Sequence, residues 1–175
     1  MAVTPEIIDA PLSSDELAIR YRQLCDDPCL ASVPGKIELD VWGRVLMTPP
    51  PSAYHGLAQS RLVKLLSGLD GEVITEAPIV TPLGLFLADL AWLSAGYVTS
   101  HGIKTPLAPA PEICVEVVSP TNSVKELSEK RHAYLAAGAE EVWLVYPQSK
   151  RCEFYGPRGL LLRSACGVDL RDLFA

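Results

Sequence analysis

Short apolar stretches, each bounded by glycine, proline or polar residues, recur along the middle of the chain. Residues 72–80, 85–93 and 113–118 are rich in β-branched and other apolar side chains, which predicts three strands. Residues 142–146 predict a further buried strand. Because the link at residues 81–84 is short, we expect the first two strands to form an antiparallel hairpin.

Helical periodicity or capping signals mark three other segments. Residues 14–25 begin with serine and acidic side chains, as a helix N-terminus does. Residues 53–67 carry an apolar stripe with helical spacing. Residues 123–137 open with a capping-box pattern, and Gly138 supplies their C-terminal stop.

The order of these elements predicts the architecture. The helix at 123–137 joins the strands at 113–118 and 142–146, which are therefore expected to be parallel. A hairpin with a glycine turn at residues 36–47 precedes the core, and short β pieces follow it. We expect an α/β fold with a mixed sheet, an α-β-β-β-α-β core and an N-terminal helix and hairpin. A single domain covering residues 1–175 is expected.

Composition narrows the class of protein. The chain has 175 residues, of which 49% are hydrophobic and 21% charged, as in ordinary globular proteins. It has no apolar run of membrane-spanning length and no secretory signal, so a cytoplasmic protein without a membrane partner is expected. Its five cysteines lack the paired spacing of a zinc site, which favours reduced thiols.

The charge distribution bears on nucleic-acid binding. A net charge of -6 and a pI near 5.0 argue against strong non-specific attraction to nucleic acid. The acids crowd the first part of the chain, whereas many basic residues lie in its last third. A local basic patch is therefore compatible with the acidic total.

Two carboxylates interrupt strands that are otherwise apolar, Asp89 in the second and Glu116 in the third. Burying an unpaired charge is costly, so the pair suggests one shared cation. Period-two alternation places Asp89 on the face of Leu87, Ala91 and Leu93. Oxygen ligands favour magnesium or manganese over zinc. The alternative is a structural carboxylate, paired with an arginine or lying at a strand end.

The helix at 123–137 adds basic candidates. Helical spacing puts Leu127 and Tyr134 on its inward face, Lys130 on a flank and Arg131 inside the stripe, while Lys125 points away. Lys130 can reach solvent along its apolar stem, or it can act on a bound water or phosphate. Arg131 is a rival on geometry.

Three further side chains are possible accessory residues. His55 opens the helix at 53–67 and shares its inward face with Ala58 and Leu62, where a histidine is either a structural hydrogen-bonding group or a catalytic one. Glu38 in the first hairpin and Glu76 in the next strand also lie among apolar residues. Both are either part of the site or edge residues without a function.

Several motifs occur in a characteristic order. They are Ile-Glu-Leu-Asp-Val-Trp-Gly-Arg at 37–44, Pro-Pro-Pro-Ser at 49–52 before His55, Ala-Asp at 88–89, Val-Glu-Val-Val-Ser-Pro at 115–120, Glu-Lys-Arg at 129–131 and Ala-Gly-Ala-Glu-Glu-Val-Trp at 137–143. As a set, they resemble the Uma-type putative restriction endonucleases of the PD-(D/E)XK nuclease superfamily. The resemblance covers about residues 13–156.

The resemblance implies a restriction-endonuclease-like fold and metal-dependent hydrolysis of DNA phosphodiesters, with Mg²⁺ or Mn²⁺ as cofactor. It makes Asp89 the motif aspartate, Glu116 the second acid, and the backbone carbonyl of Val117 a further metal ligand. Val118 occupies the place of the usual lysine. In this family the lysine comes from the following helix, which points to Lys130.

Two alternatives to a DNA endonuclease remain at this point. One is a degenerate nuclease fold that binds or scaffolds without cutting, which the acidic pI favours. The other is a metal-dependent phosphoesterase that acts on a different substrate. Because cleavage of both DNA strands needs two active sites, a homodimer is expected.

Overall fold

The computed structural model describes residues 10–30, 35–48, 50–168 and 173–174. Its helices and strands, in chain order, are α1 (Ser14–Cys25), β1 (Lys36–Asp40), β2 (Val45–Thr48), α2 (Ala53–Leu66), β3 (Gly71–Thr81), β4 (Gly84–Ser94), α3 (Ala95–His101), β5 (Ile113–Val117), α4 (Val124–Ala136), β6 (Glu141–Tyr146), β7 (Arg151–Gly156) and β8 (Gly159–Leu161). The predicted α-β-β-β-α-β core is confirmed as α2-β3-β4-β5-α4-β6. None of the helices in this part of the chain is long and apolar enough to cross a membrane.

The strands form one mixed sheet. Its order is β2-β1-β4-β5-β6-β7-β8, and β3 pairs with β4. The β3–β4 hairpin is antiparallel and β5 is parallel to β6, as the sequence predicts. The other pairs are antiparallel.

One edge of β4 is shared by two strands. Because β3 pairs with one edge of β4 over its whole length, β1 and β5 both pair with the opposite edge of β4. β1 pairs at Gly84 and Leu85, and β5 pairs from Leu90 to Trp92. Residues 86–89 of β4 lie between these ladders without a paired strand on this edge. We call this stretch the β4 gap, and it holds Asp89.

The predicted face of Asp89 is wrong, because strand alternation shifts at this residue. Leu87 packs in a cluster around α1, whereas Ala91 and Leu93 pack with α4 on the opposite face of the sheet. In β3, Glu76 has a φ of 52° and is left out of the ladder, although both its neighbours are paired with β4. The hairpin is therefore distorted in both strands beside Asp89.

Helices cover both faces of the sheet. On one face, Leu62 and Leu66 of α2 pack against Val115 and Trp143. On the other face, Tyr134 of α4 lies in the larger cluster with residues of β3, β4, β5 and β6. These packed faces fix the carboxyl end of β5 between α2 and α4.

The sequence pattern missed α3. This helix begins directly after β4, where the Ser94 hydroxyl accepts a hydrogen bond from the backbone N–H of Tyr97. Only Tyr97 of its residues is buried, so no repeated apolar stripe is present. Helical periodicity needs several buried positions before it is visible in a sequence.

Candidate active site

A cavity of about 400 Å³ opens at the carboxyl end of β5. The first hairpin and the start of α2 border it on one side, and the β5–α4 loop and α4 border it on the other. Its titratable lining residues are Lys36, His55, Asp89, Glu116, Glu126 and Lys130. The cavity thus collects side chains from β1, α2, β4, β5 and α4.

Asp89 is almost fully buried in the β4 gap, and both its oxygens have partners. Oδ2 accepts a hydrogen bond from the backbone N–H of Val117 at 2.6 Å, and Oδ1 accepts one from the ammonium of Lys36. Burial alone would raise the pKa of Asp89, but His55 and Lys36 outweigh it and hold this pKa below its ordinary value. Asp89 is therefore a carboxylate at neutral pH.

Lys36 is a site residue that sequence reasoning missed. Its Nζ also lies 2.8 Å from Oε2 of Glu76, and the side chain is only 14% exposed. Burial alone would lower the pKa of Lys36, but Asp89 and Glu76 raise it. A signal was present in the sequence, since Lys36 and Glu38 stand two apart in a strand and so share a face.

Glu116 lies on the strand next to Asp89, as expected, and lines the same cavity. Its Oε1 accepts a hydrogen bond from the Tyr134 hydroxyl at 2.7 Å and lies 3.6 Å from Nζ of Lys130. Burial raises the pKa of Glu116 to about 7, although Lys130 opposes this shift. Near neutral pH, Glu116 therefore exchanges between its protonated and charged forms.

Lys130 lies in the buried stripe of α4, between Leu127 and Tyr134, and not on the flank that helical spacing indicated. Its Nζ donates to Oε1 of Glu38 at 2.7 Å. Burial alone would lower the pKa of Lys130, but Glu116 and Glu38 raise it. The expected place of Arg131 inside the stripe is wrong, because its guanidinium stacks 4.2 Å from the ring centroid of Tyr155.

Lys125 points away from the cavity, as expected. Its side chain is exposed and lies 3.7 Å from Glu129 on the outer face of α4. This lysine provides a control for substitutions in the cavity, because it belongs to the same helix as Lys130 and has an ion-pair partner.

Glu38 is buried beside the cavity and is not an edge residue without partners. Its Oε1 accepts the backbone N–H of Leu87 at 2.9 Å, inside the β4 gap, as well as the ammonium of Lys130. The carboxylate thereby replaces a missing strand partner and holds Lys130 in place. Glu76, by contrast, does not line the cavity. Its carboxylate contacts Lys36, which does, and accepts a hydrogen bond from the side chain of Gln59 at 2.8 Å.

His55 enters the cavity wall from the first turn of α2. Its Nε2 lies 3.2 Å from Oδ1 of Asp89, a contact that helps to hold the pKa of Asp89 down although its geometry departs from that of an ideal hydrogen bond. Among the described residues it is a buried nitrogen without a hydrogen-bond partner. A ligand or water in the cavity could satisfy this nitrogen better than the contact with Asp89 does.

The side chains present fit a hard divalent cation. Asp89 and Glu116 offer carboxylate oxygens from neighbouring strands, and Val117 lines the same cavity. Mg²⁺ typically takes one or two protein carboxylates and keeps several waters. Nowhere in residues 10–30, 35–48, 50–168 and 173–174 do three His, Cys, Asp or Glu side chains form a metal-binding group.

Comparison with known proteins shows a shared fold and a family. The fold is similar to that of a putative nuclease belonging to DUF820 from Anabaena variabilis, with a TM-score of 0.69 and 17% identity over 94% of this chain and 98% of that one. Residues 20–167 match the model of Uma2, described as putative restriction endonuclease, and the chain belongs to this family. The predicted family is thus confirmed. A search among curated proteins found no match.

Proposed function

We propose that this protein is a metal-dependent endonuclease that hydrolyses phosphodiester bonds in DNA. One observation carries the proposal: two carboxylates from neighbouring strands, Asp89 and Glu116, and a lysine from the following helix, Lys130, line a single cavity. Membership of a family described as putative restriction endonucleases supports the same reaction class.

In this proposal each residue has a separate task. Asp89, Glu116 and the backbone carbonyl of Val117 hold Mg²⁺ or Mn²⁺. When bound, such an ion supplies positive charge to the phosphodiester and activates water for hydrolysis. Lys130, held by Glu38, places an ammonium at the cavity wall, where it stabilises negative charge that develops on the phosphate. His55, whose Nε2 lies in the cavity wall beside Asp89, is a candidate for binding a phosphate oxygen or water.

A plasmid-nicking assay tests this function. The parent protein is incubated with supercoiled DNA in Mg²⁺, in Mn²⁺ and in chelator, and nicking is expected only with metal. Asp89→Asn preserves shape but removes the charge that holds the cation, so it should lower the nicking rate at least about a hundredfold. Lys130→Met should also be strongly impaired, whereas Lys125→Met should retain the parent rate.

A second candidate is a nuclease fold that binds DNA without cutting it. The observation that favours it is the internal pairing of the buried charges, since Asp89 has Lys36, and Glu38 has Lys130. Such a site is nearly charge-balanced without a metal. The same assay separates the candidates, because this one predicts DNA binding without nicking in any metal.

We also propose that the active unit is a homodimer, because cutting both strands of a duplex requires two copies of the cavity. This proposal is independent of the chemistry inside one cavity. If the protein is a monomer and nicks single strands, the nuclease assignment stands and the dimer proposal is wrong.

A further inference from the structure

The ammonium of Lys36 contacts Asp89, which is a ligand of the metal ion in the proposed site. It donates to Oδ1 of Asp89, while the other oxygen of Asp89 accepts the backbone N–H of Val117. Asp89 thus has no oxygen left without a hydrogen bond. A divalent cation that binds Asp89 has to compete with this ammonium or share its oxygen.

We infer that Lys36 is a built-in counterion at the metal site, which holds Asp89 in the metal-free protein and is displaced when a divalent cation binds. The inference rests on the proposed function, in that it takes Asp89 as a metal ligand. It assigns to Lys36 a control of metal affinity, and thus a role different from that of Lys130.

The partners of the two lysines support this division of roles. Lys130 has its short contact with Glu38, 2.7 Å, and lies 3.6 Å from Glu116. A cation bound between Asp89 and Glu116 therefore leaves the main partner of Lys130 intact. Lys36, by contrast, makes its contact directly with Asp89.

Glu76 makes displacement of Lys36 feasible. Its carboxylate already lies 2.8 Å from the same ammonium and is 39% exposed, so it remains a partner after Asp89 is released. The ammonium then moves toward solvent and does not become an unpaired buried charge. The flexible four-carbon stem of lysine permits such a shift without movement of β1.

Calorimetric titration with Mn²⁺, without DNA, tests this role directly. Lys36→Met removes the competing charge and keeps most of the stem, so we expect Mn²⁺ to bind about ten- to a hundredfold more tightly than to the parent, the size of one charge-assisted hydrogen bond. Lys125→Met should bind like the parent. The double variant Lys36→Met with Asp89→Asn should lose the gain.

The inference is overturned if Lys36→Met binds Mn²⁺ no more tightly than the parent does. It is also overturned if the gain in affinity persists in the double variant that carries Asp89→Asn. If Lys36→Met folds poorly without metal, Lys36→Gln is titrated in its place and is expected to gain affinity in the same direction. A larger Mn²⁺-dependent rise in melting temperature for either variant also supports the role.

Nicking assays on the same proteins keep the two proposals apart. If the parent nicks DNA and Lys36→Met shows no gain in Mn²⁺ affinity, the role of Lys36 is wrong and the nuclease assignment stands. If Lys36→Met gains affinity through Asp89 but neither protein nicks DNA, the counterion role stands and the nuclease assignment is wrong.

Discussion

Two carboxylates that line one cavity experience opposite environments. The pKa of Asp89 is held below its ordinary value, because His55 and Lys36 outweigh the effect of burial. Burial raises the pKa of Glu116 to about 7, since its nearest cation, Lys130, is shared with Glu38. The two acids therefore differ in charge near neutral pH, and only Glu116 changes its protonation there.

This difference predicts how stability depends on pH. Between about pH 4.5 and 7, the folded protein keeps the proton of Glu116 while the unfolded chain releases it, so the contribution of Glu116 to the free energy of unfolding falls as pH rises. Glu116→Gln removes this titration. The difference in unfolding free energy between the variant and the parent should therefore be about 2–3 kcal/mol more favourable to the variant at pH 8 than at pH 5.

Denaturant unfolding in chelator, at pH 5 and at pH 8, measures this gain. Glu129→Gln, an exposed substitution on α4, is the matched control and should change little between the two pH values. A Glu116→Gln protein whose stability differs from the parent by the same amount at both pH values would contradict the raised pKa.

At the residue scale, the sequence reveals some of these groups and hides others. Asp89 and Glu116 stand out because a charge in an apolar strand is visible without coordinates. Lys36 stands out far less, because a lysine at the start of a hairpin strand is ordinary on any surface and only the strand face that it shares with Glu38 marks it. Its partners, Glu76 and Asp89, meet it only because β1 and β3 lie on opposite edges of β4. That information is tertiary.

At the scale of elements, local periodicity predicted nearly every helix and strand, because alternation and helical spacing are properties of short segments. It did not reveal the β4 gap or the shift of alternation at Asp89. The gap lies where two strands share one edge of β4, and the shift lies at the end of the gap, beside the positive φ of Glu76 on the other edge. A strand's sequence does not specify how many partners share its edge.

Gly84 is a position at the element scale where a small change has a large effect. It lies at the start of β4 with a φ of +135°, and an added Cβ would collide with the backbone carbonyl of Leu39 in β1. Gly84→Ala should therefore lower the unfolding free energy by about 2–5 kcal/mol, through backbone strain and collision together.

Gly102→Ala is the matched control for this change. Gly102 also has a positive φ, 71°, but nothing lies within 4 Å of an added Cβ. Its ψ of 174° places it in a backbone region that is essentially restricted to glycine, so its substitution should cost about 1–3 kcal/mol from strain alone. Equal losses for the two variants in denaturant unfolding would show that the collision with β1 is absent.

At the scale of the whole molecule, β2 offers a place for self-association. Among the described residues, no strand pairs with its outer edge, and the side chains of Val45, Leu46 and Met47 are all exposed. An antiparallel pairing of this edge with the same edge of a second copy satisfies two-fold symmetry. We expect the homodimer to form there.

Light scattering after gel filtration should show a dimer for the parent and a monomer for Leu46→Lys, because the lysine places a charge at the pairing edge. Leu160→Lys makes the same change at an exposed residue of β8, at the other end of the sheet, and should remain dimeric. If the parent is a monomer, the dimer proposal is wrong. If the Leu46→Lys protein is still a dimer, the interface does not lie at the edge of β2.

The shared edge of β4 also has a consequence for local opening. β1 is joined to β4 at two ladder positions, Leu39 with Leu85 and Asp40 with Gly84, and Lys36 lies beyond them at the far end of the strand. This end of β1 is paired with β2 but not with β4, so the contact of Lys36 with Asp89 helps to fasten it to β4. If a cation displaces Lys36, as we infer, this end of β1 loses one of its contacts with β4, while Glu38 still accepts the backbone N–H of Leu87. Metal binding and local opening of the β1–β4 contact are then thermodynamically linked. Amide hydrogens at the start of β1 should then exchange faster in the metal-loaded protein, although the rest of the sheet becomes more stable.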